Sequence, residues 1–349
     1  MRPATRNAVI VNAPDDVAVQ ERHEQGSSAP ADLGRGIDAF AVSFWPMAHR
    51  AWIVDSVGAP TFDRLSTGLA GSELQSLLLE VMQARALARS AKELVAQHGR
   101  DPFCVPAPVD LRTMLAIDSH LLAAAERFEA IELSPVAPMG TCSVVGLTHQ
   151  HRVLSALRGT EVVSDPTNVL ALECALRLRA HPRADVHLAT SQRVIRAQPA
   201  PKLPGYGQHF RIFVLGSAGI EREDHAFTIE TVALHVRTIL AGLTRLEREG
   251  YALGQRRVEI LASPEKQRLG ERLAGLLDAD HQPLEHPYYS GGLRYRIWVS
   301  APDGTELPLA DGGTFDWLSQ LTSNRRAVFV GSGLGSQVIA LRFGPKPLP

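Results

Sequence analysis

Apolar residues recur along this chain at helical spacing in some stretches and in short extended runs in others, which predicts a mixed architecture. Two capping boxes, Ser72-x-x-Gln75 and Ser90-x-x-Glu93, predict helices in the first hundred residues. Two short strands, over 37–45 and 51–55, are predicted ahead of them. These elements indicate a small α+β unit that precedes the main part of the chain.

Strands and helices alternate through the rest of the sequence. Asp110 is a predicted N-cap for an amphipathic helix that leads into an extended segment ending at Pro135. The segments 186–198 and 209–215 are predicted strands joined by a loop rich in proline and glycine, so we expect an antiparallel hairpin. Further helices are predicted over 169–178, 227–249 and 265–277, and further strands over 257–261, 295–300, 304–309 and 327–330. The expected fold class is α+β, with a mostly antiparallel sheet flanked by helices.

Local composition divides the chain into three predicted parts. Residues 12–35 are largely polar and without periodic apolar residues, and we expect the region 1–35 to be a disordered or loosely attached tail. The region 36–104 is the predicted α+β attachment, and 105–349 is the predicted main domain. A stretch with three prolines, 101–108, is the expected linker between them.

Composition and charge exclude several classes of function. The 349 residues are 45% hydrophobic, enough for a full core, and 36 basic against 37 acidic side chains leave a formal charge of -1. Neither a nucleic acid nor a membrane is therefore an expected partner. No apolar run reaches roughly 18 to 20 residues and no signal-peptide core is present, so a cytoplasmic location is expected. No metal site is predicted at His149 and His151, because no third ligand lies nearby in the sequence. The three thiols are too scattered to predict a metal site, and we expect them to be buried: Cys104, Cys142 and Cys174.

The predicted hairpin carries the first candidates for a binding site. Alternation places Arg196 and Gln198 on one face of the first strand, and His209 and Phe213 on one face of the second. If the two faces coincide, a cation, an amide and an aromatic ring converge on one pocket. The other interpretation is a surface hairpin with a solvated arginine and a core phenylalanine.

Further candidates lie at predicted junctions between elements. Glu161, Asp165 and Thr167 could bind the ammonium group of a ligand, or they could form an N-cap and an Asx turn. Near the C-terminal end, three glycines spaced by two would let the backbone approach a nucleotide closely. The glycines and the remaining candidates are Gly331, Gly333, Gly335, Tyr288, Tyr289, Gly312 and Gly313.

These motifs occur in the order of the class II aminoacyl-tRNA synthetase core, which the chain resembles over about 105 to 345. The segments Tyr288-Tyr-Ser-Gly291 and Gly312-Gly-Thr-Phe-Asp-Trp-Leu318 are similar to its histidyl branch. The resemblance implies a site for ATP with Mg, in which Arg196 contacts a carboxylate and the α-phosphate, Phe213 stacks on adenine and Gln198 replaces an acid that holds the adenine amine. It also implies an amino-acid pocket and a homodimer formed through the segment 110–135.

The chain departs from the family pattern at three positions, and each departure removes positive charge. The family has arginines where this sequence has Leu284, Thr314 and Val338. One such charge-assisted contact contributes about 2 to 4 kcal/mol where charge develops, so efficient aminoacyl-adenylate formation is not expected. Arg342, one helical turn after Val338, is expected to meet the C-terminal carbonyls of its helix or, alternatively, to act as a displaced phosphate ligand.

Two functional hypotheses follow. The leading one is a non-charging paralogue that binds an amino acid or a related small molecule and acts through a protein partner, like the regulatory subunit of ATP phosphoribosyltransferase. Because the sequence ends soon after the glycines at 331, 333 and 335, no anticodon-binding domain is expected. The alternative is an ATP-dependent ligase that activates a carboxylic acid for transfer to a small amine or a carrier protein, with Arg193 or Arg211 replacing the lost arginines.

Overall fold

A computed structural model of the protein describes residues 52, 54–198, 200, 206–285 and 288–344. The helices in this part of the chain are α1 (Ala59–Asp63), α2 (Gly71–Leu87), α3 (Ala91–His98), α4 (Leu111–Ala124), α5 (Pro166–Ala180), α6 (Ala226–Arg248), α7 (Gln267–Leu277), α8 (Trp317–Thr322) and α9 (Ser336–Arg342). The strands are β1 (Glu129–Ala130), β2 (Val136–Pro138), β3 (Ser155–Ala156), β4 (Thr160–Val162), β5 (Val186–Ile195), β6 (His209–Ile220), β7 (Arg256–Ala262), β8 (Asp280–Pro283), β9 (Leu293–Ser300), β10 (Glu306–Phe315) and β11 (Ala327–Leu334).

An eight-stranded sheet organises the fold, with the strand order β1-β5-β6-β11-β10-β9-β7-β8. Only its outermost pairs, β1 with β5 and β7 with β8, are parallel. The predicted hairpin is confirmed, because β5 and β6 pair antiparallel from Val186 opposite Ala218 to Ile195 opposite His209. The mostly antiparallel α+β fold expected from the sequence is therefore confirmed. A small second sheet, β2-β4-β3, was not predicted.

The two faces of the large sheet are covered by different elements. On one face, which we call the α6 face, α4 and α6 pack together over a core that includes Leu215 and Tyr295. On the other, which we call the site face, α5 packs against β6. There Leu170 of α5 lies so close to Gly216 that any side chain at that position would overlap it. Each face has its own buried hydrophobic cluster, as expected of a sheet sandwiched between helices.

The helix α6 shows how burial and sequence pattern agree. Together with its preceding turn, the segment Glu223–Arg248 is long and apolar enough to cross a membrane. However, 61% of its apolar window is buried inside the fold, since Val232, Val236, Ile239 and Leu243 belong to the core. The helix is therefore a core helix whose apolar side packs against the sheet and α4.

Several helix ends match the predicted caps. Asp110 accepts hydrogen bonds from the backbone N–H groups of Arg112 and Thr113 at the start of α4. Ser90 and Glu93 form the predicted capping box of α3. The first box is wrong, because α2 begins after Ala70 and the Glu73 carboxylate accepts from the Ala70 N–H.

The regular elements in the described residues ahead of α4 are helices joined by turns. The predicted strand over 51–55 is wrong, since residues 52 and 54–57 are helical. The predicted tail over 1–35 and the strand over 37–45 lie outside the described residues. The boundaries proposed for the three parts of the chain stay predictions.

Candidate functional site

The register of the β5–β6 hairpin decides which predicted residues share a face. Val194 lies opposite Phe210, and Ser191 lies opposite Phe213. Directly opposite residues point to the same side of a sheet, and successive residues point to opposite sides. Phe210 and Phe213 therefore lie on different faces. Arg196 follows Val194 by two residues, and its guanidinium carbon lies 5.1 Å from the centroid of the Phe210 ring.

Phe213 is buried on the α6 face. Its side chain is 1% exposed and belongs to the same cluster as Ile117 and Leu121 of α4 and Val236 of α6. The expectation that Arg196 and Phe213 converge on one pocket is therefore wrong. The aromatic ring beside Arg196 is that of Phe210, which the sequence analysis did not single out.

His209 also faces away from Arg196. Its Nε2 lies 2.8 Å from the Val105 carbonyl oxygen, and its Nδ1 lies 3.0 Å from Nη1 of Arg193. Arg211 pairs with the buried Asp118, with Nε 2.6 Å from Oδ2. Burial raises the pKa of Asp118 above its usual range, although hydrogen bonds from Ser191 and the charge of Arg211 act to lower it. Arg193 and Arg211, the residues considered as replacement phosphate ligands, thus make their contacts on the α6 face.

The Glu161 side chain is hydrogen-bonded to a neighbouring loop. Its fully buried carboxylate accepts hydrogen bonds from the backbone N–H groups of Gly140 and Cys142, each at 2.8 Å, and from Nε2 of Gln150 at 2.9 Å. Burial raises the pKa of Glu161, but these hydrogen bonds outweigh it and hold the pKa below its usual range. Glu161 therefore stabilises the loop after β2, and its position does not support the predicted contact with a substrate.

Asp165 is an N-cap, which is one of the two roles that the sequence left open. Its Oδ1 caps α5 by accepting from the N–H of Thr167 at 3.0 Å and from the Thr167 hydroxyl at 2.7 Å. Its Oδ2 accepts from the Tyr288 hydroxyl at 2.9 Å. Burial raises the pKa of Tyr288 well above its usual range, and the nearby Asp165 carboxylate adds to the effect. The phenol therefore remains a donor at neutral pH.

Arg196 lies beside this junction. Its Nε donates to the carbonyl oxygen of Ser164, the residue before Asp165, at 3.1 Å. It forms no ion pair with any residue that the structure describes. Gln198 is half-buried two residues further on. A cation, a carboxylate and a phenol thus meet where β5 ends and α5 begins.

A second carboxylate lies beneath the adjacent tyrosine. The Tyr289 hydroxyl donates to Oδ2 of Asp311 at 2.6 Å, and Nη2 of Arg294 donates to the same oxygen at 3.0 Å. The Arg294 guanidinium carbon lies 5.0 Å from the centroid of the Tyr289 ring. Asp311 and Arg294 were missed by the sequence analysis. Their common face follows from the register, in which Arg294 lies opposite Gly313, two residues after Asp311.

The predicted glycines form part of the floor of the site face. A Cβ at Gly331 would lie 3.4 Å from Cβ of Thr167 and 3.2 Å from the Phe315 ring, and one at Gly333 would lie 3.0 Å from Ile212. A Cβ at Gly313 would overlap the Tyr289 ring. Gly312 instead points to the α6 face at Ser332, and Gly335 precedes α9.

The positions of the missing arginines contain no compensating charge. Leu284 and Val338 pack against the two hydrophobic clusters, and Thr314 is 3% exposed. Arg342 bonds through Nη2 to Oδ2 of Asp303 at 2.8 Å and to the Thr305 hydroxyl at 3.0 Å, so neither role predicted for it is supported. Among the described residues no three His, Cys, Asp or Glu side chains are grouped to hold a metal ion. These residues do not fit a triphosphate with Mg.

Comparisons with known proteins agree on the fold. No family model matches the chain, and no curated protein matches its sequence. By structure, it is similar to an ATP phosphoribosyltransferase regulatory subunit/histidyl-tRNA synthetase from Bacillus halodurans, with 15% identity and a TM-score of 0.50 over 68% of this chain and 82% of that one. It is also similar to the RNA binding domain of threonyl-tRNA synthetase from Cryptosporidium parvum, with 10% identity and a TM-score of 0.52 over 66% of this chain and 64% of that one. A putative threonyl-tRNA synthetase from Aeropyrum pernix matches with 14% identity and a TM-score of 0.50, over 65% and 59%. The class II synthetase-like fold is confirmed.

Proposed function

We propose that this chain, which has a class II synthetase-like fold, is a non-charging paralogue that binds an amino acid or a closely related small molecule and acts through a protein partner. The observation that carries the proposal is the junction of Arg196, Asp165 and Tyr288 on the site face. In addition, Leu284, Thr314 and Val338 stand where the class II synthetase pattern has arginines. A site with side chains that can orient a ligand, but without arginines that stabilise the charge of the phosphates, supports ligand binding better than adenylate formation.

The proposed ligand contacts follow from the chemistry of each side chain. Arg196, which forms no ion pair with a described residue, would bind the ligand carboxylate. Asp165 and Thr167 would bind its α-ammonium group, because Asp165 is a carboxylate whose donors come from only two neighbours. Phe210 would form an apolar wall beside the carboxylate.

ATP is the less well supported part of the sequence-based hypothesis. Leu284, Thr314 and Val338 supply no positive charge to terminal phosphates. The ligase alternative requires that charge from other residues. Arg193 and Arg211 do not support it, because both make their contacts on the opposite face.

Assembly and location belong to the same proposal. We propose a homodimer through the segment 110–135, because Leu111 and Leu115 of α4 are 66% and 55% exposed although the helix is amphipathic. The similar protein from Bacillus halodurans is described as a regulatory subunit, which supports a protein partner for this chain as well. The proposed location is the cytoplasm.

Two measurements on the full chain test the proposal. Calorimetry with each of the common amino acids is expected to detect binding that Arg196→Ala weakens about tenfold or more, as loss of a charge-assisted contact should. The control Arg326→Ala, at an exposed arginine, should bind like the parent protein. Amino-acid-dependent pyrophosphate exchange is expected to be absent. Binding of no amino acid would refute the proposal, and clear exchange activity would favour the ligase.

A further inference from the structure

The adjacent residues Tyr288 and Tyr289 position two different carboxylates. Their rings are perpendicular, with centroids 5.4 Å apart. Tyr288 donates to Asp165, and Tyr289 donates to Asp311. The site face therefore presents two anionic groups, one on either side of a tyrosine pair.

Asp311 has one oxygen directed away from its protein partners. Both Tyr289 and Arg294 donate to Oδ2, and Oδ1 accepts no hydrogen bond from any described residue. The Asp311 side chain is 43% exposed, whereas that of Arg294 is 7% exposed. Two donors on one oxygen fix the direction of the carboxylate, which leaves the other oxygen accessible for a ligand.

The floor sets the separation of the two anionic groups. Asp311 lies opposite Gly333, and Thr167 next to Asp165 lies against Gly331. Gly331 and Gly333 are two residues apart on β11, which corresponds to roughly 7 Å along a strand. A ligand whose α-ammonium group binds at Asp165 would therefore need an extended side chain to reach Asp311.

We propose that the ligand is a basic amino acid, whose distal ammonium or guanidinium group binds Oδ1 of Asp311. This inference rests on the proposed function. The ligand carboxylate pairs with Arg196, its α-ammonium with Asp165 and its distal cation with Asp311, so each ligand charge meets one of opposite sign. Arg294 is a positioning residue, because it contacts the other oxygen of Asp311.

Lysine and its neutral analogue norleucine, which lacks the terminal ammonium group, provide the test. Calorimetry with the full chain is expected to show lysine binding at least about tenfold more tightly than norleucine. Asp311→Asn should bring lysine down to the level of norleucine and leave norleucine unchanged. Asp303→Asn is the matched control, since Asp303 also pairs with an arginine, Arg342, but lies outside the site.

The outcomes separate this inference from the proposed function. If no amino acid binds, the proposed function fails. If amino acids bind but norleucine or histidine binds as tightly as lysine, the proposed function stands and the basic-ligand inference is overturned. If Asp311→Asn does not fold, the comparison of lysine with norleucine on the parent protein still decides. Unchanged lysine binding in a folded Asp311→Asn protein would also overturn the inference.

Discussion

The Arg196 guanidinium carbon lies 5.1 Å from the centroid of the Phe210 ring, on the face of the sheet opposite to Phe213. This geometry separates a residue of the site from a residue of the core. Phe213→Ala is expected to lower the free energy of unfolding by about 3 to 5 kcal/mol, because the ring is fully buried. Phe210→Ala should cost less stability, because its ring is only partly buried, and should weaken ligand binding. Urea unfolding and calorimetry on both variants check this, and the reverse pattern would contradict our assignment of the faces.

The ion pair of Asp118 with Arg211 predicts a large coupling between these two residues in the free energy of unfolding. Asp118 is 5% exposed. In Arg211→Ala, the remaining hydrogen-bond donor to its carboxylate among the described residues is Ser191. Removing one partner of a buried pair typically destabilises by about 3 to 5 kcal/mol. The double variant Asp118→Asn, Arg211→Ala should recover part of the loss, as measured in a double-mutant cycle by urea unfolding. A loss no larger than that of the exposed control Arg326→Ala would show that the pair is not effectively buried.

A buried hydrogen-bond chain on the α6 face predicts pH-dependent stability. His187 contacts Ser217, Ser217 contacts Nε2 of His235, and Nδ1 of His235 contacts the Ser332 hydroxyl, which also accepts from Tyr295. Burial lowers the pKa of His235 to about 3, from an ordinary value near 6.5. Between these values the unfolded chain binds a proton that the folded protein excludes. Stability from this group is therefore complete above about pH 6.5 and is lost progressively as the pH falls toward 3.

The measurable consequence is a slope of up to about 1.4 kcal/mol per pH unit in the free energy of unfolding from this residue. Burial also lowers the pKa of His187, which adds a contribution of the same sign. Urea unfolding between about pH 4.5 and 6.5, the upper part of this window, should show a shallower slope in His235→Gln than in the parent. The exposed control His98→Gln should keep the parent slope, and equal slopes in all three proteins would refute the burial argument.

Two glycines in different surroundings predict effects of opposite sign. At Gly313 a Cβ would overlap the Leu293 carbonyl oxygen and the Tyr289 ring, so Gly313→Ala should destabilise by about 1 to 3 kcal/mol and disturb the ligand site. At Gly275, within α7, a Cβ would have no atom within 4 Å. Gly275→Ala should therefore stabilise by about 0.5 to 1 kcal/mol through helix propensity. Thermal unfolding of the two variants and the parent measures these changes in stability. An unchanged stability of Gly313→Ala would mean that Leu293 and Tyr289 can move to accommodate a Cβ.

Local signals were the most reliable guide to this fold. The cap at Asp110, the capping box at Ser90 and the hairpin between 186–198 and 209–215 all depend on contacts within a few residues or one loop. The stability of these features depends mainly on residues close in the sequence, and less on distant parts of the chain. The strand predicted over 51–55 failed because its apolar residues fit a helix equally well at such short length.

Contacts between distant segments could not be predicted in the same way. Phe210 and Phe213 are both aromatic and lie three positions apart in the sequence. The register across a long loop decides which of them lies beside Arg196. A shift of one residue would exchange their faces. Similarly, Asp311 meets Tyr289 and Arg294 only because β9 and β10 pair with Gly313 opposite Arg294.

The sequence by itself determined the order of the main elements and the antiparallel sheet, because local periodicity and turn signals encode these directly. The resemblance to the class II synthetase core implied that Leu284, Thr314 and Val338 stand where that family has arginines. Only the tertiary structure decided that Glu161 supports a loop, that Phe213 belongs to the core and that Asp311 is a second carboxylate on the site face, where it accepts from Tyr289. The physical reason is that a side chain's role depends on the face it occupies and the partner it meets, and both are set by long-range strand pairing.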